Sequence, residues 1–247
     1  MNPAAVARTG TGTTSRFDVG HGYALYQGPS WDSGFHRHAA FQIVIAVEGE
    51  AAMVDASGVC HRAVALVVPP MVPHRMLATT DVRVFFVEPQ CAFADRLRER
   101  RGPGISAAPE LRELGGDDVR LAGARPSGEL DPRLLAAMDA LADGPVSMPD
   151  LATRVDMSPQ RLRGLARSQL GMPLTRWRVW GQLRRTVEAL RAGRSLAEAA
   201  AVSGFADQAH LTRWMREMMG LTPAVVLPVL RPSPPEGHVD RDRTGDR

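Results

Sequence analysis

Between residues 17 and 88 the apolar positions fall in short runs broken by Gly, Pro and Asp: YALYQ, FQIVIAVEG, EAAMVD, AVALVVPP, HRMLAT and VRVFFVEP. Runs of this length and spacing predict a β-sandwich or barrel. After Pro89 the texture becomes helical, in AFADRLRERR and then PELREL, and the Gly- and Pro-containing stretch 115–128 reads as a linker. Helical spacing returns at Asp131, where Leu134, Leu135, Met138, Leu141 and Ala142 make one apolar stripe. From Ser147 onward each helix carries its own start signal. Ser147-Met-Pro-Asp150 opens one, Ser158-Pro159 a second, and Ser195-Leu-Ala-Glu198 a third as a capping box. Gly171 and Gly220 stand where helices should close.

The segment LATRVDMSPQRLRGLARSQLG reads as a short helix, a tight turn and a second helix from Ser158. LAEAAAVSGFADQAHLTRWMREMMG repeats that grammar about 45 residues later, with its turn at Ser203-Gly204. The second helix of each copy separates its faces. Leu162, Leu165 and Ala166 point inward in the first, leaving Gln160, Arg161, Arg163 and Arg167 outside. In the second, Leu211, Met215 and Met218 point inward and leave Gln208, Thr212, Arg213 and Arg216 outside. Arg, Gln and Thr are side chains that pair with base edges or phosphates in a major groove. The stretch 174–190 between the copies reads as one continuous helix, roughly 25 Å long. Its arginines Arg176, Arg178, Arg184 and Arg185 are candidates for phosphate contacts, whereas Trp177 and Trp180 have packing spacing.

Charge sharpens this division. The chain has 247 residues and a formal net charge of +3, and every one of its 30 basic side chains is arginine. Residues 1–149 hold 14 Arg against 17 Asp and Glu, residues 150–231 hold 13 against 6, and the tail from 232 holds 3 against 4. An acidic half joined to a basic half predicts two domains, one of which meets a polyanion. A hydrophobic content of 44% supplies a core for each and excludes disorder of the whole chain. Two cysteines, Cys60 and Cys91, cannot form a disulfide framework. The first 16 residues contain no run of signal-peptide length and no nearby apolar stretch could cross a bilayer, so the expectation is a cytoplasmic protein with no membrane partner.

The stretch from MSPQRL through GMPLTRWRVWGQLRRTVEALRAGRSLAEAAAVSGFADQAHLTRWMREMMGLTP resembles the DNA-binding domain of the AraC/XylS family of transcription regulators, including GF-x-D-x-x-H-[LF]-x-R and a closing G-x-TP. The resemblance covers about 80 residues. It implies two helix-turn-helix units joined by a long helix, acting on double-stranded promoter DNA, with RNA polymerase as a further partner. By that resemblance Gln160, Arg163 and Arg167 face DNA from the first unit, and Gln208, Thr212, Arg213 and Arg216 from the second. Gly164 departs from the pattern, standing where many relatives carry arginine.

In the N-terminal half, His36-Arg37-His38, Gln42 and Gly49, followed by 69-PPMVPH-74, resemble the two cupin motifs H-x-H-x3-E-x6-G and P-x-G-x2-H, with Gln42 in the Glu position and Met71 in the Gly position. In an unbroken strand His36, His38 and Gln42 would share one face. Three imidazoles and one amide oxygen suit a divalent transition metal of the Zn, Ni, Fe or Mn type. The same four residues, His36, His38, Gln42 and His74, could instead line a metal-free effector pocket or simply pack. His21 and His61 fall outside the pattern.

The resulting expectation is an α+β chain: a flexible arm (1–16), a cupin jelly-roll sensor (17–90), a helical linker or dimerisation region (91–145), an all-α double helix-turn-helix domain (146–230) and a disordered tail (231–247). The helical stripes at 92–101 and 131–142 either form a homodimer interface or pack on the barrel. The function expected is DNA-binding regulation governed by a small-molecule or metal effector. The alternative is a cupin metalloenzyme, an oxygenase or isomerase, with an accessory basic domain. Fusion to a DNA-reading half favours the sensor over the enzyme.

Overall fold

The computed structural model describes residues 15–100 and 102–230, so most of the expected arm and all of the expected tail lie outside the described residues. The β-rich half contains β1 (Arg16–Gly20), β2 (Tyr23–Ser30), β3 (Phe41–Ala46), β4 (Ala51–Asp55), β5 (Cys60–Ala63), β6 (Ala65–Val68), β7 (His74–Met76), β8 (Thr79–Val87) and the short β9 (Ser106–Ala107). They form two antiparallel sheets, in the orders β1-β2-β8-β3-β6-β9 and β5-β4-β7. Alternation along β3 and β8 sends Val44, Val84 and Phe86 into the core that also holds Met53 of β4. Ile43, Ile45 and Phe85 point the other way, into a core with Phe93, Leu97 and Val119. Both faces of β3 are thus covered, which is why FQIVIA is apolar almost throughout instead of alternating.

The covering residues come from α1 (Ala92–Arg100) and α2 (Gly116–Gly123). The latter corrects the reading of 115–128 as a linker. Gly115 N–H donates to Asp118 Oδ2 at 3.0 Å, capping a helix whose Val119 is fully buried.

The helical half begins earlier than expected. In α3 (Pro132–Asp143), Leu134, Ala137, Met138 and Leu141 are buried among the helices that follow, and the Trp177 indole N–H donates to Met138 O at 3.1 Å. The stripes of α1 and α3 are therefore consumed within one chain.

Then come α4 (Met148–Arg154), α5 (Pro159–Leu170), α6 (Leu174–Arg191), α7 (Leu196–Val202), α8 (Gln208–Met219) and α9 (Pro223–Leu230). The Oγ atoms of Ser147, Ser158 and Ser195 accept the N–H groups of Asp150, Arg161 and Glu198, and Glu198 returns the bond to Ser195 N–H at 2.7 Å. Each such cap contributes about 1 kcal/mol. Between α7 and α8 the turn uses Gly204 at φ +84; between α4 and α5, where the sequence has no glycine, Asp156 takes the left-handed conformation at φ +50. Aspartate is one of the few side chains that tolerates it.

Candidate functional site

Two groups of residues carry chemistry, and the packing of the two halves joins them. The first is the outer face of the helix pairs. Gln160, Arg161, Arg163 and Arg167 are all exposed on α5, and Gln208, Arg213 and Arg216 are exposed on α8, with Thr212 half-buried beside them. The Thr212 hydroxyl donates to Gln208 O at 2.8 Å. Opposite these faces Leu162 and Leu211 are fully buried, so the polar stripes are held outward by the core beneath them.

The arginines of α6 divide. Arg178 is exposed. Arg176 pairs with Glu217 and lies over the Trp214 ring, 5.1 Å from its centre. Arg185 donates to Ala142 O at 2.7 Å, at the carbonyl end of α3, where a cation is favoured by the helix dipole. Arg184 reaches the β-rich half. Their candidacy as phosphate contacts is corrected for Arg184 and Arg185, whose guanidinium groups are spent on protein carbonyls and a carboxylate.

The second group is the cluster of His36, His38, Gln42 and His74. All four are buried, and ligand atoms of the three imidazoles lie within 4.8 Å of one another. The strand expected to align them does not run through 36–40. His36 makes an isolated bridge with His74, the chain bends, and only Gln42 lies in β3. The bend itself brings the side chains together. Met71, at the motif's glycine position, takes φ +63 and donates its N–H to His38 O at 2.8 Å. A glycine-favouring conformation held by a methionine is local strain of the kind found at functional sites.

Hydrogen bonding sets the tautomers. His36 Nδ1–H donates to Gly34 O at 2.8 Å and His74 Nδ1–H to Val72 O at 2.9 Å, since a carbonyl can only accept. Both Nε2 lone pairs therefore turn into the cluster. His36 Nε2 and His38 Nε2 are 3.1 Å apart; Gln42 Oε1 lies 3.1 Å from His38 Nε2 and 2.6 Å from His74 Nε2. His38 Nδ1 lies against the Met218 backbone without a well-formed hydrogen bond. Burial lowers the basicity of all three imidazoles. His38 is held well below its ordinary value, with His36 and His74 adding to the effect, and His74 is brought to about 3 by burial and then by His36. The result is a set of neutral imidazoles, two of which turn Nε2 lone pairs into the cluster, the state in which imidazole binds a metal.

The helical half closes this cluster. Gly34 N–H donates to Gly220 O and Arg37 N–H to Glu217 O, each at 3.3 Å, so the segment bearing two imidazoles is seated on the last turn of α8. Gly220, at φ +67, has no room for a side chain: a Cβ there would lie 2.5 Å from His36 Nδ1. The His38 ring also meets Trp180 of α6 at 6.1 Å, and Phe86 packs beside both rings. Trp180 Nε1–H donates to Glu88 Oε1 at 2.9 Å, and Arg184 Nη1 reaches both oxygens of Glu88 at 2.7 and 2.8 Å. Glu88 and Gly220 were not among the sequence candidates. No local pattern marks a carboxylate whose partner is 96 residues away.

Gly220→Ala should cost about 2–5 kcal/mol, about 1–2 from the left-handed backbone and about 1–3 from the clash of the new Cβ with His36 and Gly34 O. Gly171 is the internal control, because it closes α5 at φ +68 with nothing near its missing Cβ. Urea unfolding should show a larger loss for Gly220→Ala than for Gly171→Ala, with faster hydrogen exchange at the Gly34 and Arg37 amides only in the former. Equal losses and unchanged exchange would show that the seam contributes nothing.

Beside the cluster is an apolar cavity lined by Phe17, Trp31, Met76 and Phe86 from the β-rich half and by Met219, Val225, Val226 and Val229 from the helical half, with His36, His38 and Gln42 in its wall. No helix among the described residues is long and apolar enough to cross a membrane.

Comparison with known proteins supports this two-part description. Residues 151–227 match the helix-turn-helix domain family. No curated protein matches the chain. The crystal structure of ToxT from Vibrio cholerae O395 is similar at 11% identity and a TM-score of 0.56, covering 86% of this chain and 99% of that one. ToxT from strain SCE256 with an unsaturated fatty acid bound gives 11% identity and 0.54, covering 90% and 98%. A transcriptional regulator with an AraC-type DNA-binding domain from Chromobacterium violaceum is 22% identical over 41% of this chain and 96% of its own, with a TM-score of 0.39. The capped helix pairs thus lie in the segment that matches the helix-turn-helix domain family, and a β-rich domain precedes them as part of a fold similar to that of ToxT.

Proposed function

We propose that the protein is a sequence-specific DNA-binding transcription regulator whose β-rich domain senses an effector at the His36, His38, Gln42 and His74 cluster. The observation that carries the DNA-reading part is the pair of capped helices, α5 and α8, presenting Gln, Arg and Thr outward within the matched segment. Arg213→Ala should weaken operator binding by about 1–3 kcal/mol and relax sequence preference if the guanidinium reads a base. Fluorescence anisotropy on a genomic operator and on single-base variants checks this. Unchanged affinity would remove Arg213 from the reading face.

For the sensor, the donor set favours a divalent transition metal. If His36 and His74 keep their protons on Nδ1, the 2.6 Å approach of His74 Nε2 to Gln42 Oε1 sets two lone pairs face to face. A cation among them resolves it. So does turning the Gln42 amide, whose two N–H groups then serve His38 and His74, and this is the metal-free form of the site. The first form makes Gln42 a ligand and the second makes it a donor. Zinc or nickel titration of the full chain, read by elemental analysis, separates them.

ToxT, solved with an unsaturated fatty acid bound, supports reading the neighbouring apolar cavity as part of the effector site. We read the β-rich domain as a sensor and not as an oxygenase or isomerase because its imidazoles are seated directly on α8 and α6. An occupant there acts on the DNA-reading half without an intermediary.

A further inference from the structure

The charge balance of the cluster identifies the class of effector. Imidazole and amide donors bring no negative charge, so a divalent ion held by His36, His38, His74 and Gln42 keeps its full +2 inside a buried site. An uncompensated charge of that size in an apolar surrounding is strongly disfavoured. Among the described residues no carboxylate lines the cavity. Glu88 and Glu217, which belong to the elements packed around the cluster, are engaged by Arg184 and Arg176. The neutralising anion is therefore either a hydroxide formed from metal-bound water or the head of a ligand that displaces that water.

The kind of molecule that carries such a head is set by the wall beyond the imidazoles. The cavity continues from His36, His38 and Gln42 along Met76, Phe86, Val225, Val226 and Val229, and no arginine lines it to receive a bare anion. We propose that the effector is an amphipathic carboxylate whose head binds a metal ion held by His36, His38, Gln42 and His74 and whose apolar body lies against α9. The proposal rests on the metal reading of the cluster given above. It assigns the metal the part of anchor and α9 the part of apolar wall, so that filling the cavity presses on the segment that follows α8.

The test uses the full chain loaded with Co2+, whose visible absorption reports its ligands. Acetate, hexanoate, octanoate and octanol are the probes. Octanoate should shift the spectrum at a concentration at least tenfold below acetate, with roughly threefold to fourfold per buried methylene, and octanol should leave it unchanged. Val226→Trp, which fills the cavity without touching a donor atom, should keep Co2+ uptake and the acetate response and lose the advantage of octanoate. Uptake of Co2+ with equal response to acetate and octanoate would overturn the proposal and leave the metal reading standing. Equal octanoate binding by metal-free protein would also overturn it. Failure to take up Co2+ would overturn both.

Discussion

Arg184→Ala should be among the most damaging single changes in the chain, destabilising it by about 3–5 kcal/mol, the range for leaving a buried charge without its partner. Glu88 is 1% exposed, and its oxygens meet Arg184, the Trp180 indole and the Gln90 amide. Removing Arg184 leaves that carboxylate with neutral donors only. The reverse change is milder, because Arg184 is 27% exposed and can turn to water. Glu88→Gln should cost about 1–2 kcal/mol. Urea denaturation of both variants checks the asymmetry. Near-equal small losses would mean that the pair does not hold the β-rich half to α6. Arg184 Nη2 also donates to Gly20 O at 3.0 Å, so its removal should loosen the β1–β2 turn as well.

The second large effect concerns the cluster. The double variant His36→Ala/His38→Ala should lose stoichiometric uptake of a divalent transition metal, since two of three imidazole donors are gone. Gln42→Glu should move affinity the other way. It places a charged oxygen where a neutral one stands 2.6 Å from His74 Nε2, and supplies half the charge that a divalent ion lacks there. Elemental analysis after dialysis, with circular dichroism to show that the variants fold, decides the matter. Unchanged metal content in the double variant would place the metal elsewhere. No uptake by any of the three proteins would favour the amide-turned, metal-free site.

Much of this arrangement was legible in the sequence because its determinants are local. The caps at Ser147, Ser158 and Ser195 are three-residue signals that hydrogen-bond within their own turn. The outward stripes of α5 and α8 follow from helical period alone. The imidazole cluster was also legible, though for an incomplete reason: the motif spacing pointed to His36, His38, Gln42 and His74, while the convergence depends on a bend at 37–40 and on Met71 in a left-handed turn. The rest depended on distant partners. Whether the stripe of α3 faces a second chain or Trp177 is not encoded in the stripe. Arg176, Arg178, Arg184 and Arg185 look alike in sequence. Only packing separates Arg178, which is exposed, from Arg184, which reaches Glu88. Gly115–Gly128 looked like a linker because glycine and proline frame α2, whose short apolar face has meaning only against the β-sheet.

The most direct test of DNA reading is the salt dependence of operator binding by the full chain, measured by anisotropy across a salt series on a genomically enriched site. Arg161, Arg163 and Arg167 are exposed on α5, Arg178 on α6, and Arg213 and Arg216 on α8. If each neutralises one phosphate, the slope of log affinity against log salt should approach about −5, and Arg213→Ala should make it shallower by about 1 only if that guanidinium contacts phosphate instead of a base. A slope near zero, or the same affinity for operator and random duplex, would contradict the assignment of α5 and α8 as DNA-reading helices.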